Sequence, residues 1–246
     1  MFGWLEKNPF FFSLAFIFVF SIAGLVEILP SFAKTARPLE GLKPYSVLET
    51  AGRQVYIEEG CYNCHSQLVR PFKFETDRYG AYSLSGEYAF DRPFLWGSKR
   101  TGPDLHRVGD SRTTDWHAYH MWDPTSVVPG SIMPAYRHLY FNNADFDTAY
   151  AEAYTQKKIF AVPYDVEGGV KLGTLEEAKA EYLKEAQVIV DDMNAMVANH
   201  LKSVGDTQGS VDMSEALKKG EVRKIVALIA YLNSLSQSRR MHTEGN

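Results

Sequence analysis

Cysteine is scarce in this chain, two in 246 residues, which excludes a disulfide-dense scaffold. An excess of positive charge is missing too. The 26 basic and 30 acidic side chains leave a formal net charge of −4, which excludes a broadly basic nucleic-acid binder, though not a local patch. There are no internal repeats, no low-complexity tracts and no convincing pair of alternating strands. A composition of 45% hydrophobic and 23% charged residues also excludes a wholly disordered or fibrous chain. Long apolar runs are rare as well, but one is present.

That run is PFFFSLAFIFVFSIAGLVEIL, residues 9–29, with Glu27 as its one ionisable side chain. At about 1.5 Å per residue it spans about 31 Å, against a hydrocarbon core of about 30 Å. A cleaved signal peptide is the alternative, but its apolar region is usually about 7–15 residues long. Ser31-Phe32-Ala33 does resemble a small-residue cleavage site. The run is read as an uncleaved transmembrane helix within an N-terminal anchor over residues 1–33, with Trp4 at one interface and Pro30 ending the helix at the other. Flanking charge sets no direction, because Lys7 sits beside Glu6 while Lys34 and Arg37 follow the run.

Residues 34–44 carry Pro38, Gly41 and Pro44 and read as a short stiff linker to a domain over residues 45–246. All the net negative charge of that part falls beyond residue 143. The spacing predicts a helix over 45–59, with Val47, Leu48, Ala51, Val55 and Tyr56 on its stripe and Gly60 as its stop. Residues 66–143, rich in Gly, Pro and aromatics, read as loops with short helices. Thr174 and Glu177 have capping-box spacing, and an amphipathic helix to about residue 203 keeps Ala178, Tyr182, Ile189, Met193, Met196 and Val197 near one face. A last helix over 221–235 carries Ile225, Leu228, Ile229 and Leu232. The expected fold class is mainly α.

Both cysteines lie in Cys61-Tyr62-Asn63-Cys64-His65, the C-x-x-C-H pattern of covalent haem attachment. Two thiols at this spacing can form thioethers to the two vinyl groups of one porphyrin, and the adjacent imidazole reaches the iron from the same side. Three alternatives stand beside it. A thioredoxin-like dithiol needs a βαβ context that is missing. A zinc site needs two more ligands, and the compact pair His117 and His120 is spaced by only two residues. A disulfide between the cysteines leaves His65 unexplained.

With His65 as proximal ligand, the sixth position falls to Met133 in Pro129-Gly-Ser-Ile-Met-Pro-Ala-Tyr136, a Pro- and Gly-flanked loop able to hold a thioether against a flat ring. Met121 remains a candidate. Met1 and Met241 sit at the termini, Met193 and Met196 fit a helix face, and His106, His117, His120 and His138 read as ordinary polar histidines. His/Met ligation raises the iron potential and suits one-electron transfer. Thr101-Gly-Pro-Asp-Leu105 offers a backbone carbonyl to Nδ1–H of His65, and Leu105 a surface for the porphyrin. Arg70, Arg78, Arg92, Arg100 and Arg107 are open candidates for the two haem propionates.

Gly52-x-x-Val55-Tyr56, the Gly-Pro loop, the Met-Pro loop and the terminal Ala-Tyr-Leu helix together resemble a class I cytochrome c domain. More specifically, Gly60-Cys-Tyr-Asn-Cys-His-Ser-Gln-Leu-Val-Arg-Pro71, Tyr79-Gly80 and Trp96-Gly-Ser-Lys-Arg-Thr-Gly-Pro-Asp-Leu105 resemble the mono-haem cytochrome c subunit of cbb3-type cytochrome c oxidase, as does the single N-terminal anchor. The resemblance implies first and last helices that cross, one haem c held by Cys61 and Cys64, and iron ligated by His65 and Met133. It implies an electron-transfer subunit with no catalytic residue of its own in a proton-pumping oxidase of the bacterial inner membrane. The haem domain would be periplasmic, with a haem-copper catalytic subunit, a multi-haem cytochrome c subunit and membrane lipid as partners. Residues 140–220 exceed a minimal domain of this kind and read as an insertion that covers a partner or decorates the surface. The cytochrome c subunit of a nitric oxide reductase, a stand-alone anchored shuttle and a haem-based gas sensor are the alternatives. The GCYNCHSQLVRP run disfavours the first, and Met133 ligation the last.

Overall fold

A computed structural model describes residues 3–32, 38–203 and 213–236, and within them every side chain except those of residues 31–32 and 194–203. Met1, Lys34, Arg37 and Met241 therefore lie outside the described residues, as do the side chains of Met196 and Val197. The described part is mainly helical, with no strand. Its one β-type contact is an isolated bridge between Asn143 and Arg223.

A short turn, α1 (Gly3–Glu6), precedes the apolar helix α2 (Pro9–Phe32). Proline suits the first helical position, where its missing N–H would be unpaired anyway. The stretch Pro9–Pro30 is long and apolar enough to cross a membrane, and its apolar window buries nothing inside the protein. Pro30 was expected to end the helix, yet α2 runs through it to Phe32. A proline removes one hydrogen bond to the preceding turn, and so close to the C-terminus little helix remains for that loss to disrupt.

The domain begins with α3 (Val47–Glu58). Ser46 caps it: its Oγ accepts from the Glu49 N–H at 3.2 Å, while its own N–H donates to Glu49 Oε2 at 2.9 Å. The helix stops before Gly60, as the sequence predicts. Three short helices follow in the loop-rich region, α4 (Lys73–Tyr79), α5 (Thr114–Trp122) and α6 (Pro124–Val127). Then come α7 (Phe146–Ile159), α8 (Leu175–Ser203), α9 (Met213–Lys218) and α10 (Lys224–Ser234).

The most extensive helix contact joins α3 to α10, the crossing expected between first and last domain helices. Leu48, Ala51, Val55 and Tyr56 are buried with Ile225, Leu228, Ile229 and Leu232 in one core. At the crossing the two backbones touch across Gly52. A Cβ there would lie 1.9 Å from the carbonyl oxygen of Ala227 and 2.8 Å from Cβ of Tyr231.

The excursion over 140–220 is more than surface decoration. Its α7 packs on α3 through buried Ala149 and Ala153, and α8 packs on α5 and α10. Ala178, Tyr182, Ala186, Val190 and Met193 form a fully buried stripe on α8, and Ile189 is partly buried beside it. Two hydrogen bonds fasten this excursion to the start of α3. Tyr164 donates to the Tyr45 carbonyl at 2.9 Å, and Ser46 Oγ donates to Glu185 at 2.6 Å. Burial pushes the Glu185 carboxyl up to about 7.

Gly52→Ala should therefore force the crossing apart and destabilise the chain by about 3 kcal/mol, at the upper end for overpacking. Urea unfolding of the detergent-solubilised protein measures it. A midpoint equal to wild type would show that the crossing tolerates a methyl group.

Candidate functional site

The residues between α3 and the loop region form one tight turn. Cys61–Asn63 make a single 3₁₀ turn, and the N–H of His65 donates back to the Cys61 carbonyl at 2.9 Å. This brings both thiols and the imidazole into five residues at the end of a core helix. Cys61 is half-buried and Cys64 exposed, and both thiols are free. Burial pushes the Cys61 thiol up to about 12. Among the described residues no three His, Cys, Asp or Glu side chains are grouped to hold a metal ion, so the zinc alternative has no ligand set.

His65 meets the Gly-Pro loop as the sequence predicts. Its Nδ1 lies 2.8 Å from the Pro103 carbonyl oxygen, so Nδ1 carries the proton and donates. The ring packs flush against Gly102, where a Cβ would lie 2.3 Å from Cε1 of His65. Burial lowers the imidazole pKa despite the opposing Pro103 hydrogen bond. A neutral imidazole with Nδ1–H committed leaves the Nε2 lone pair to bind iron.

The Gly-Pro loop is held in place by charge. Arg100 and Asp104 flank it, four residues apart. Asp104 accepts from the Leu68 N–H at 2.7 Å, from Ser66 Oγ at 2.6 Å and from the His106 N–H at 2.9 Å. Arg100 donates to Ser66 Oγ at 2.7 Å, to the Leu68 carbonyl at 2.8 Å and to Glu75 at 2.8 Å. Glu75, buried on α4, also pairs with Arg70. The two residue stretches that touch His65, 66–70 and 100–104, are thus stapled to each other. Gln67 extends the framework to the core, where its buried amide meets the Tyr231 hydroxyl of α10 at 3.0 Å. Tyr88 donates to the Gln67 carbonyl at 2.7 Å. Sequence reasoning missed the framework roles of Asp104, Glu75 and Gln67, for which no local signal pointed to a partner.

Met133 is partly buried against the core, in a loop anchored by the Tyr136 N–H donating to the Met121 carbonyl at 2.8 Å. Met121 itself is buried in the core on α5, and Met193 likewise on α8. Two of the histidines read as ordinary do have partners. His138 lies 2.8 Å from Glu59, and His106 lies 3.1 Å from the Tyr88 hydroxyl. Among the described residues, His117 is buried with neither ring nitrogen bonded, and buried Nδ1 of His120 also lacks a hydrogen-bond partner.

The arginines offered for propionates are mostly engaged. Arg70 and Arg100 serve Glu75, and Arg107 forms a buried pair with Glu87 at 2.8 Å. Arg92 reaches the Ala89 carbonyl at 3.4 Å and stacks on Phe160, and Arg78 stacks on Tyr79.

Two free thiols, an imidazole with one committed nitrogen and a Gly102 cradle together fit a covalent haem. A family model described as "Cytochrome C oxidase, mono-heme subunit/FixO" matches residues 2–238 of the chain. No curated protein matches it.

Arg100 and Arg70 hold the Glu75 carboxyl at about 2, well below its ordinary 4.5. The stability this pairing contributes is complete above about pH 4.5 and is lost as pH falls toward 2. Glu75→Gln should cost about 3 kcal/mol at pH 7 by removing the carboxylate that pairs with both Arg100 and Arg70, leaving Arg100 only its longer carboxylate contact to Asp104. The gap to wild type should narrow between pH 4.5 and pH 3, as urea unfolding at each pH would report. A gap constant across that range would separate Glu75 from the acid response.

Proposed function

Because the chain belongs to the FixO family of mono-haem cytochrome c oxidase subunits, we propose that it is the membrane-anchored electron-transfer subunit of a cbb3-type oxidase. In this reading Cys61 and Cys64 would hold one haem covalently, each S–H adding across a vinyl group to leave a thioether, and His65 Nε2 and Met133 Sδ would ligate its iron. The observation that carries it is the bond from His65 Nδ1 to the Pro103 carbonyl, with the ring seated on Gly102, beside two free thiols. The bound haem supplies a one-electron couple whose potential thioether ligation raises.

The chain's own residues do the positioning. Pro103 fixes the His65 tautomer and ring angle, and the Arg100–Asp104–Glu75 clamp prevents the loop from drifting away from that ring. The Tyr136–Met121 hydrogen bond tethers the methionine loop to α5. Oxygen reduction belongs to a haem-copper partner subunit, with a multi-haem cytochrome c subunit as a further partner. The division is an anchor over 1–33, a linker over 34–44 and a haem domain over 45–246. Helix α2 fits a single-pass anchor. Since covalent haem c is attached outside the bacterial inner membrane, residues 34–246 belong in the periplasm.

Purification through this chain from solubilised membranes should bring haem b, copper and oxygen consumption with it, and the chain should stain for haem on a denaturing gel. Cys61→Ser and Cys64→Ser should each abolish stable staining; full-intensity staining of both variants would sink the assignment. Met133→Ala should keep covalent haem while losing the sulfur-to-iron absorption feature of the oxidised form. Survival of that feature would transfer the ligand role to another methionine, Met121 first.

A further inference from the structure

The chain leaving His65, residues 66–69, belongs to no helix or sheet. Its backbone polar groups therefore need partners elsewhere. The Ser66 carbonyl accepts from the Leu105 N–H at 2.8 Å, and the Gln67 N–H donates to the Trp96 carbonyl at 2.9 Å. Two groups end instead on hydroxyls. The Gln67 carbonyl accepts from Tyr88 at 2.7 Å, and the Val69 N–H donates to Ser83 Oγ at 2.8 Å. Both hydroxyls converge on one atom, Nδ1 of His106, which lies 2.5 Å from Ser83 and 3.1 Å from Tyr88.

Resting on the haem reading above, we propose that His106 is a positioning residue for the proximal ligand. Its Nδ1 fixes the hydroxyls that hold the chain behind His65, and so sets the bond from His65 to Pro103 and, through it, the haem potential.

The protons can be placed one by one. Tyr88 gives its single proton to the Gln67 carbonyl and has none for His106. Ser83 accepts from Val69, so its proton is directed at Nδ1. Nδ1 is therefore the unprotonated nitrogen, and Nε2 carries the N–H. That N–H faces Glu87 at 3.6 Å, a buried carboxylate already paired with Arg107. The ring is 2% exposed and stacks on Tyr88 at 4.7 Å and 17°, so one tautomer is held in one orientation.

His106 also belongs to the loop on the other side of His65. Its backbone N–H donates to Asp104 at 2.9 Å, and it follows by three residues the Pro103 whose carbonyl accepts from His65. One side chain thus ties residues 66–69 to the loop that orients the proximal imidazole. Without the Nδ1 acceptor, the Ser83 hydroxyl turns to another partner and its hold on Val69 loosens. The two stretches then drift apart, and the His65 Nδ1–H bond to Pro103 weakens. A weaker bond there makes the imidazole less basic and a poorer donor to iron, which disfavours the ferric state.

The test uses the full chain in solubilised membranes. Redox titration is one readout, and electron paramagnetic resonance of the ferric haem, whose g-values report the axial imidazole's orientation, is the other. Ser83→Ala removes the donor. His106→Gln withdraws the acceptor, since its longer side chain carries the amide to the place of Nε2, whereas His106→Asn keeps an amide oxygen where Nδ1 stands. All three variants should keep covalent haem and the sulfur-to-iron feature. Ser83→Ala and His106→Gln should both shift the potential to more positive values and alter the g-values. Their double variant should shift it no further than the larger of the two. His106→Asn should stay near wild type. Wild-type potential and g-values in both Ser83→Ala and His106→Gln would overturn the proposal. So would a shift in His106→Asn as large as that in His106→Gln, because the imidazole would then act through its volume alone. A wild-type chain without covalent haem would overturn the haem reading, and this proposal with it. The haem stain separates that failure from the others.

Discussion

Backbone contact between α3 and α10 at Gly52 sets the frame in which the functional residues are placed. With 1.9 Å between a would-be Cβ and the Ala227 carbonyl oxygen, these helices approach closely enough that only glycine fits at position 52. That approach puts Tyr231 between Tyr45 and Tyr56, at ring distances of 5.6 and 5.4 Å. The hydroxyl of Tyr231 then reaches the Gln67 amide, two residues past His65. The attachment turn itself is the direct continuation of α3. A shift in the crossing would move both ends of the segment that carries Cys61, Cys64 and His65.

Charge does what apolar packing cannot do in the loops. Residues 66–107 contain no long helix, and their backbone polar groups need partners other than a helix ladder. Buried Asp104, Glu75 and Glu87 supply them, each satisfied by arginine and backbone N–H groups. Such buried pairs add little net stability over apolar packing, but losing one partner is costly. Their worth here is geometric, since they hold the Pro103 carbonyl 2.8 Å from Nδ1 of His65.

The excursion over 140–220 supports the same frame from the other side. Its α7 and α8 cover faces of α3, α5 and α10 that would otherwise be open to water. One junction is poised electrostatically: Ser46, the cap of α3, is held by Glu185, whose carboxyl burial raises to about 7. Burial makes ionising it costlier there than in water, while the hydrogen bond donated by Ser46, stronger to a carboxylate than to a neutral carboxyl, opposes that rise.

Much of this was legible in the residues themselves, because the signals were local. The apolar run of α2, the Thr174–Glu177 cap, the stripe of α10 and the CYNCH turn need only neighbouring positions to be read. The Gly-Pro carbonyl facing His65 was legible too, since a Gly-Pro turn after the attachment motif can present a backbone carbonyl to an imidazole Nδ1–H. Helix α7 was hidden because its buried face is largely alanine, which carries little hydrophobic contrast. The partners of the arginines were hidden for a different reason. Arg70, Arg100 and Arg107 look alike in a sequence, and a long flexible cation takes its role from whichever carboxylate the fold brings within reach. His117 was equally opaque: sequence shows a polar side chain, and only the fold shows it buried with neither ring nitrogen bonded among the described residues. Local chemistry and periodicity determined which groups this protein carries, whereas long-range packing decided which of them meet, because hydrogen bonds and ion pairs depend on distances that only the folded chain defines.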